Sequence, residues 1–279
     1  MDLSTSINIF FGQGSVTAQM QRVYDAGFRT MDINFNDWME LRDENGWFSA
    51  LPRWECWLSE IEKFVYLHGV RLNQSHGPLF DIFEESERTD HLREMCALSL
   101  ESAARLGIPW VVMQPGTVPG DMALSFTRTR DFYAPLAALA KELGTGIVFE
   151  NTPEEGSFGG RPEHLIALCD SLAGFPVGVC WDIGHAHIQG LDQRKAITML
   201  GNRLRCLHIQ DNDGRSDGHT APYYGTVRWD EILTALKESG YQGDLTLEAQ
   251  RFVQPVPESC KDAAMALLFA IGNELVKKY

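Results

Sequence analysis

The sequence predicts one α/β domain over residues 1–279, a (β/α)8 TIM barrel, and three observations carry that reading. Short β-rich runs alternate with amphipathic helical stretches. Eight such runs can be counted, each followed by a helical pattern. The side chains able to do chemistry fall at the ends of those runs. No linker or shift in composition divides the 279 residues, so they read as a single unit.

The expected strands are INIFF (7–11), TMDINF (30–35), VRLNQSH (70–76), WVVMQ (110–114), GIVFEN (146–151), VGVCWD (177–182), RCLHIQ (205–210) and DLTLEA (244–249). Their apolar runs lack clean alternation, which suits strands covered on both faces. Helical patterns at 15–27, 91–107, 133–144 and 229–240 each run into a glycine, a common helix stop. The last covers 260–279, and weaker ones fit 54–68, 161–173 and 192–200. Strands alternating with helices imply βαβ units and a parallel sheet. A count of eight favours closure into a barrel over an open doubly wound sheet.

Composition excludes several functions. The net charge of −14 argues against nucleic acid and anionic membranes as partners. No apolar run approaches the roughly 18 residues of a membrane span. The start, MDLSTSINIFFG, has no basic segment leading into a long apolar one, so it does not read as a signal peptide. Cys56, Cys96, Cys169, Cys180, Cys206 and Cys260 are scattered without CxxC spacing, which suits free thiols in a reducing cytoplasm. The expectation is a cytoplasmic protein, with homo-oligomerisation left open. Lys63, Lys141, Lys195, Lys237, Lys261, Lys277 and Lys278 all lie in helical patterns. None ends a strand, as a Schiff-base enzyme of this fold would need. GxGxxG and GxxxxGK[ST] are absent, so nucleotide-cofactor chemistry has no support.

In barrels the active site lies at the carboxyl ends of the strands. Here the third strand ends in His76, the fifth in Glu150 and the sixth in Asp182, with His185 close behind. The seventh carries His208 and the eighth Glu248. Charged groups are rarely buried unpaired. Two glutamates, an aspartate and a histidine converging on one mouth require a cation. Oxygen and nitrogen donors without thiolate suit Mn²⁺, Zn²⁺, Co²⁺ or Mg²⁺. Any one of them alone could be a helix-capping carboxylate. Four at equivalent places on four strands read as a metal site.

At these residues the chain resembles the sugar-phosphate isomerase/epimerase group. That group has the xylose-isomerase-like barrel of ketose 3-epimerases, inosose isomerases and dehydratases, and apurinic endonucleases. The resemblance rests on FEN at Glu150, WDIGHAH at Asp182 and His185, LHIQDNDG at His208 and LTLEA at Glu248. It implies that Glu150, Asp182, His208 and Glu248 bind one divalent metal and that His185 touches substrate. It also implies that Glu150 and Glu248 form the acid–base pair.

The chemistry of isomerising a keto sugar agrees. A proton next to a carbonyl must leave, a metal stabilises the enediolate, and two carboxylates take and return the proton. The expected function is therefore a metal-dependent isomerase or epimerase of a sugar, sugar phosphate or polyol ketone. An inosose-type dehydratase is the alternative. A metal-dependent phosphodiesterase or endonuclease is less favoured.

Other residues extend the site. His76, Arg215 and Arg251 are further substrate-binding candidates. Asp217 and His219, in DGHTAPYYG, match with His185 the positions that hold a further zinc in the endonucleases; the alternative is a hydrogen-bonded pair that shapes the loop. Gln114, in MQPG, stands where the endonucleases carry a histidine, which weakens the nuclease reading. Four of the seven tryptophans fall in residues 36–57. They read as a cap over a sugar ring, a packed loop or a subunit contact.

Overall fold

The structure, a computed structural model, describes residues 1–279. Its barrel strands are β1 (Leu3–Ser6), β2 (Thr30–Asn34), β3 (Arg71–His76), β4 (Trp110–Met113), β5 (Gly146–Glu150), β6 (Val177–Asp182), β7 (Leu204–His208) and β8 (Leu245–Leu247). All pair in parallel, in the order β8–β1–β2–β3–β4–β5–β6–β7. The ring closes between β7 and β8 through one bridge, Ile209 to Leu247, just beyond the named end of β7. A minor hairpin pairs Arg42–Asp43 with Gly46–Trp47 outside the barrel.

The outer helices are α1 (Val16–Asp25), α2 (Arg53–His68), α3 (Glu87–Arg105), α4 (Met122–Leu143), α5 (Pro162–Ser171), α6 (Gln193–Leu200), α7 (Trp229–Ser239) and α8 (Glu258–Lys278). Two begin earlier than the hydrophobic pattern indicates, because polar caps set their starts. Ser86 and Thr89 form a capping box ahead of α3. Asp121 caps α4 by accepting from the Leu124 amide at 2.9 Å. That helix then continues past Pro135, which removes one backbone donor without ending it. Gly144 stops α4 in the left-handed conformation, φ 77°. No helix is long and apolar enough to cross a membrane.

The first strand differs from expectation. It is Leu3–Ser6, and the apolar run 7–11 instead opens with a buried 3₁₀ turn, Ile7–Phe10. Ser6 starts the turn by accepting from the Asn8 amide. The true strand reads LSTS because it faces a polar stretch of the barrel interior. There Ser4, Asn73, Thr246, Gln74 and Asp32 form a buried chain of hydrogen bonds. Across the barrel, Val112, Val148, Cys180 and Cys206 pack together without oxygen or nitrogen side-chain atoms.

The tryptophan-rich segment is packed in, with Trp38 in a short helix (Asn36–Met39), Trp47 in the minor hairpin and Trp54 and Trp57 at the start of α2. Trp38, Trp54 and Trp57 are buried, and the Trp54 and Trp57 rings stack at 4.5 Å. Trp47 stacks on His91 at 4.1 Å. These rings are engaged with one another and with the core rather than with the ligand-type side chains at the strand ends. An apolar cleft of about 420 Å³ beside Trp38, Phe48 and Trp57 shares no residue with the ligand-type side chains described next.

A candidate metal centre and its rim

Each chemically capable side chain is set by the end of a strand. Glu150 ends β5, Asp182 ends β6, His208 ends β7, and Glu248 follows β8 by one residue. One ligand atom from each lies within 4.8 Å of all the others, and all four residues are buried. His208 Nδ1 sits 2.5 Å from Glu150 Oε1 and 3.4 Å from Glu248 Oε2.

Three carboxylates around one imidazole, shut away from water, repel one another unless a positive charge joins them. Asp182 Oδ1 accepts from the His185 amide at 2.7 Å, but Oδ2 is buried with no partner. An orphaned carboxylate oxygen facing three more donor groups fits a divalent cation, and the oxygen and nitrogen donors suit a borderline or hard metal. The residues present therefore fit the metal that the sequence implied.

The electrostatics follow from burial and pairing. Burial pushes the Asp182 carboxyl up to about 6, against the pull of His185. Burial also works against ionisation of Glu150, but His208 and His76 outweigh it and hold that carboxyl well below its ordinary range. Glu150 Oε2 receives two further contacts, from His76 Nε2 at 3.2 Å and Gln114 Nε2 at 3.1 Å. His76 Nδ1 lies 2.9 Å from the Gly77 carbonyl. Both of its ring contacts are satisfied when the ring is doubly protonated. Burial opposes that state, but the bond to Glu150 raises the ring above its ordinary value.

A second group stands on the rim. His185, Asp217 and His219 also bring one ligand atom each within 4.8 Å of the others. His185 belongs to a short helix, Ile183–Ile188, and its Nδ1 donates to the Asn151 carbonyl at 2.7 Å. Its Nε2 faces Asp217 Oδ2 at 3.6 Å. His219 Nε2 bonds the same oxygen at 2.9 Å, and its Nδ1 reaches the Glu248 carbonyl at 3.0 Å. Burial opposes the charged imidazole of His219, but Asp217 and Glu248 raise it to about 9. His219 adopts φ 39°, in the left-handed region that side chains rarely enter. Strain there is held by partners on both ring nitrogens and by the bond from its own amide to Gln210.

Several supporting residues escaped the sequence reading. Asn151 clamps the end of β6, accepting from the Asp182 amide at 2.7 Å and donating to the Asp182 carbonyl at 3.0 Å. Gln210 joins the two clusters, donating to Asp217 Oδ1 at 2.6 Å and Asp182 Oδ1 at 3.4 Å. Its amide lies against Gly184, where an added Cβ would come within 2.2 Å. That contact explains the glycine in WDIGHAH. Asp211 is an anchor for the loop after β7. It accepts from the backbone of Asn212, Tyr223 and Val227 and from Trp229 Nε1. Arg215 and Arg251 are exposed, and their guanidinium groups make no hydrogen bond or ion pair. Neither guanidinium bonds any of the four ligand-type residues, though the Arg251 amide donates to the His219 carbonyl on the rim.

Beside Gln114, a polar cavity of about 660 Å³ opens among Asp81, Thr117, Thr152 and Ser157. It is large enough for a sugar-sized molecule, and Gln114, which lines it, bonds Glu150.

Fold and site together define a class: closed parallel barrels with a ligand-rich cluster at the carboxyl mouth. Residues 20–267 match the model of the xylose isomerase-like TIM barrel family, and the chain belongs to that family. An uncharacterized protein of Methanocaldococcus jannaschii is 28% identical over 86% of this chain and 81% of its own length. Fructoselysine 3-epimerase of Escherichia coli O157:H7 is 29% identical over 57% of this chain and 55% of its own. The crystal structure of IolI protein with a bound zinc atom superposes with a TM-score of 0.79 at 17% identity, over 100% of this chain and 99% of that one.

Proposed function

We propose that the protein is a divalent-metal-dependent isomerase or epimerase of a sugar, sugar phosphate or polyol ketone. The observation that carries the reading is the buried tetrad of Glu150, Asp182, His208 and Glu248, with Asp182 Oδ2 unpartnered. Those four residues would hold the ion. When bound, it supplies a Lewis acid for the carbonyl oxygen of a ketose.

The chain's own residues handle the proton. Glu150 and Glu248 work as the acid–base pair on the carbon next to the carbonyl. They are not equivalent. Glu150 is held anionic, its Oε2 occupied by His76 and Gln114. Glu248 is slightly exposed, and its nearest side-chain nitrogens, on His208 and His219, stand off at 3.4 and 3.7 Å. Glu248 is thus the freer carboxylate to exchange a proton with solvent, and Glu150 the more firmly oriented one. His185, buried between the tetrad and Asp217, would hold a substrate hydroxyl through Nε2, a reading its position supports. Asp217 and His219 position it. A second metal on His185, Asp217 and His219 is the other use of that triad.

Running the reaction on candidate ketoses in heavy water tests the scheme. Deuterium at the reacting carbon of product, with mass otherwise conserved, is the expected result. Loss of one water from substrate would mark a dehydratase. Product free of solvent deuterium at early times would overturn the two-carboxylate scheme.

A further inference from the structure

The apolar cleft of about 420 Å³ lies apart from both ligand clusters, between the starts of α1 and α2. Trp38, Phe48 and Trp57 line it, and Trp38 and Trp57 are only 8% and 3% exposed. Their indole nitrogens have no acceptor, and the hydroxyl of buried Ser49, next to Phe48 in the chain, has no partner either. Indole N–H groups usually find a partner when buried, so two orphans in one wall call for an explanation. The two helix starts add unmet donors. Pro52, the residue before α2, has no side chain to cap with, and the amides of Arg53, Trp54 and Glu55 have no acceptor in the protein. Ahead of α1, Ser15 accepts from the Ala18 amide, which leaves those of Val16 and Thr17 without an acceptor. Arg53 braces the wall. Its guanidinium bonds Asp43 Oδ2 at 2.6 Å and the carbonyls of Gly46 and Trp47, which ties the hairpin before Phe48 to α2.

We propose that this cleft is a binding site for a small aromatic carboxylate, with the ring among Trp38, Phe48 and Trp57 and the carboxylate at the start of α2. An apolar cavity of roughly 150 Å³ already holds benzene, so the cleft has room for a ring with a short acidic side chain. Contacts with three aromatic residues favour a flat ring over an aliphatic chain. The unpaired amides and the dipole of α2, a 16-residue helix, favour an anion at its first turn. A carboxylate supplies acceptors only, and acceptors are what the orphaned indole and amide N–H groups lack. The charge of Arg53 is already balanced by Asp43. The charged group on the wall that opposes an anion is Glu60, which is exposed. None of these residues belongs to the tetrad or the rim triad, so the site does not depend on the metal reading.

The test titrates the whole protein with hydrocinnamate (a phenyl ring on a propionate chain), its neutral amide, and propionate. A chelator is present throughout, so no metal enters the result, and binding is read by tryptophan fluorescence and calorimetry. Cys56 lines the cleft and Cys260 does not, and both are exposed, so labelling with a disulfide reagent and peptide mapping locates the ligand. Hydrocinnamate should quench the fluorescence and slow the labelling of Cys56 but not of Cys260. The amide should bind about tenfold more weakly, the scale of a charge at a helix start. Propionate, which lacks the ring, should show no binding. Cys56→Trp fills the cleft from an exposed position and should abolish binding with Tm unchanged. Glu60→Gln should tighten the acid and leave the amide as it was. No binding of hydrocinnamate at millimolar concentration would overturn the proposal. So would protection of both cysteines, or full binding by Cys56→Trp, because either places the ligand elsewhere. Equal affinity for acid and amide would overturn the acid class. Soaked crystals with only ordered water against the indole nitrogens would assign the orphans to solvent and overturn the site.

Discussion

Two clusters of ligand-type residues stand side by side at the mouth of this barrel, and they solve the problem of buried charge differently. The deep tetrad leaves Asp182 Oδ2 and His208 Nε2 without hydrogen bonds. The rim triad is internally paired: Asp217 bonds His219 and Gln210, while His185 and His219 reach backbone carbonyls. A set that is complete without a cation can stand as a structural network. A buried set with an orphaned carboxylate oxygen cannot do so cheaply, because an unpaired buried charge is among the most costly things a fold can hold. Proximity of His, Asp and Glu side chains therefore says less about metal than the tally of their unmet hydrogen bonds does.

The sharpest way to break this comparison is to neutralise the deep carboxylates. Glu150→Gln and Glu248→Gln should each lose more than about a hundredfold in kcat at saturating metal, since each removes an acid–base group and a charged ligand together. Near-normal kcat in Glu248→Gln would end the two-carboxylate scheme.

Next comes a histidine from each cluster. His208→Ala should strip metal from the purified protein by elemental analysis. His219→Ala should retain it and lose about tenfold in kcat, as for groups that orient rather than ligate. Equal metal loss in the two variants would make the rim a second metal site.

Gln114→Ala tests the clamp on Glu150. Removing one of two donors from Oε2 should lower kcat about tenfold with little change in KM, the scale of a hydrogen bond to a charged group. A change confined to KM would move Gln114 to the substrate.

A prediction about stability rather than activity concerns Asp32, on the polar side of the barrel interior. Burial raises its carboxyl from 3.8 to about 7. Within that window the unfolded chain has given up the proton and the fold has not, so rising pH costs stability. Asp32→Asn should therefore gain Tm relative to metal-free wild type as pH rises from 3.8 to about 7, with the gain levelling off above. A difference that does not vary with pH would show that Asp32 does not titrate there.

Much of this was legible because barrels put chemistry at strand ends. Glu150, Asp182 and His208 end apolar runs, and that position alone marks them out. The barrel order follows from counting strands. What was hidden has physical causes. β1 was misplaced because LSTS lines a polar interior and carries no hydrophobic signature, while the neighbouring INIFF does. The tryptophans suggested a binding surface, but aromatic rings pack on one another as readily as on a sugar, and three of the four are buried. Asn151 and Gln210 went unread, and Gln114 was read only as a replaced histidine, because an amide shows its role only through its partners, which come from other strands. Gly184 is the one local trace of Gln210, and it gains meaning only when the two are seen in contact.

The closure of the barrel bears on how it breathes. Seven of the eight seams are strand ladders of two or more residue pairs, whereas β7 and β8 meet through the single bridge of Ile209 and Leu247. His208 lies just before that bridge on one side, and Glu248 just after it on the other. An ion held by both would act as a clasp across the weakest seam. The amides of Ile209 and Glu248, which bond the Thr246 and Ile209 carbonyls across it, would then be the hydrogen-exchange reporters of the clasp, quick to exchange under chelation and slow when the ion is present.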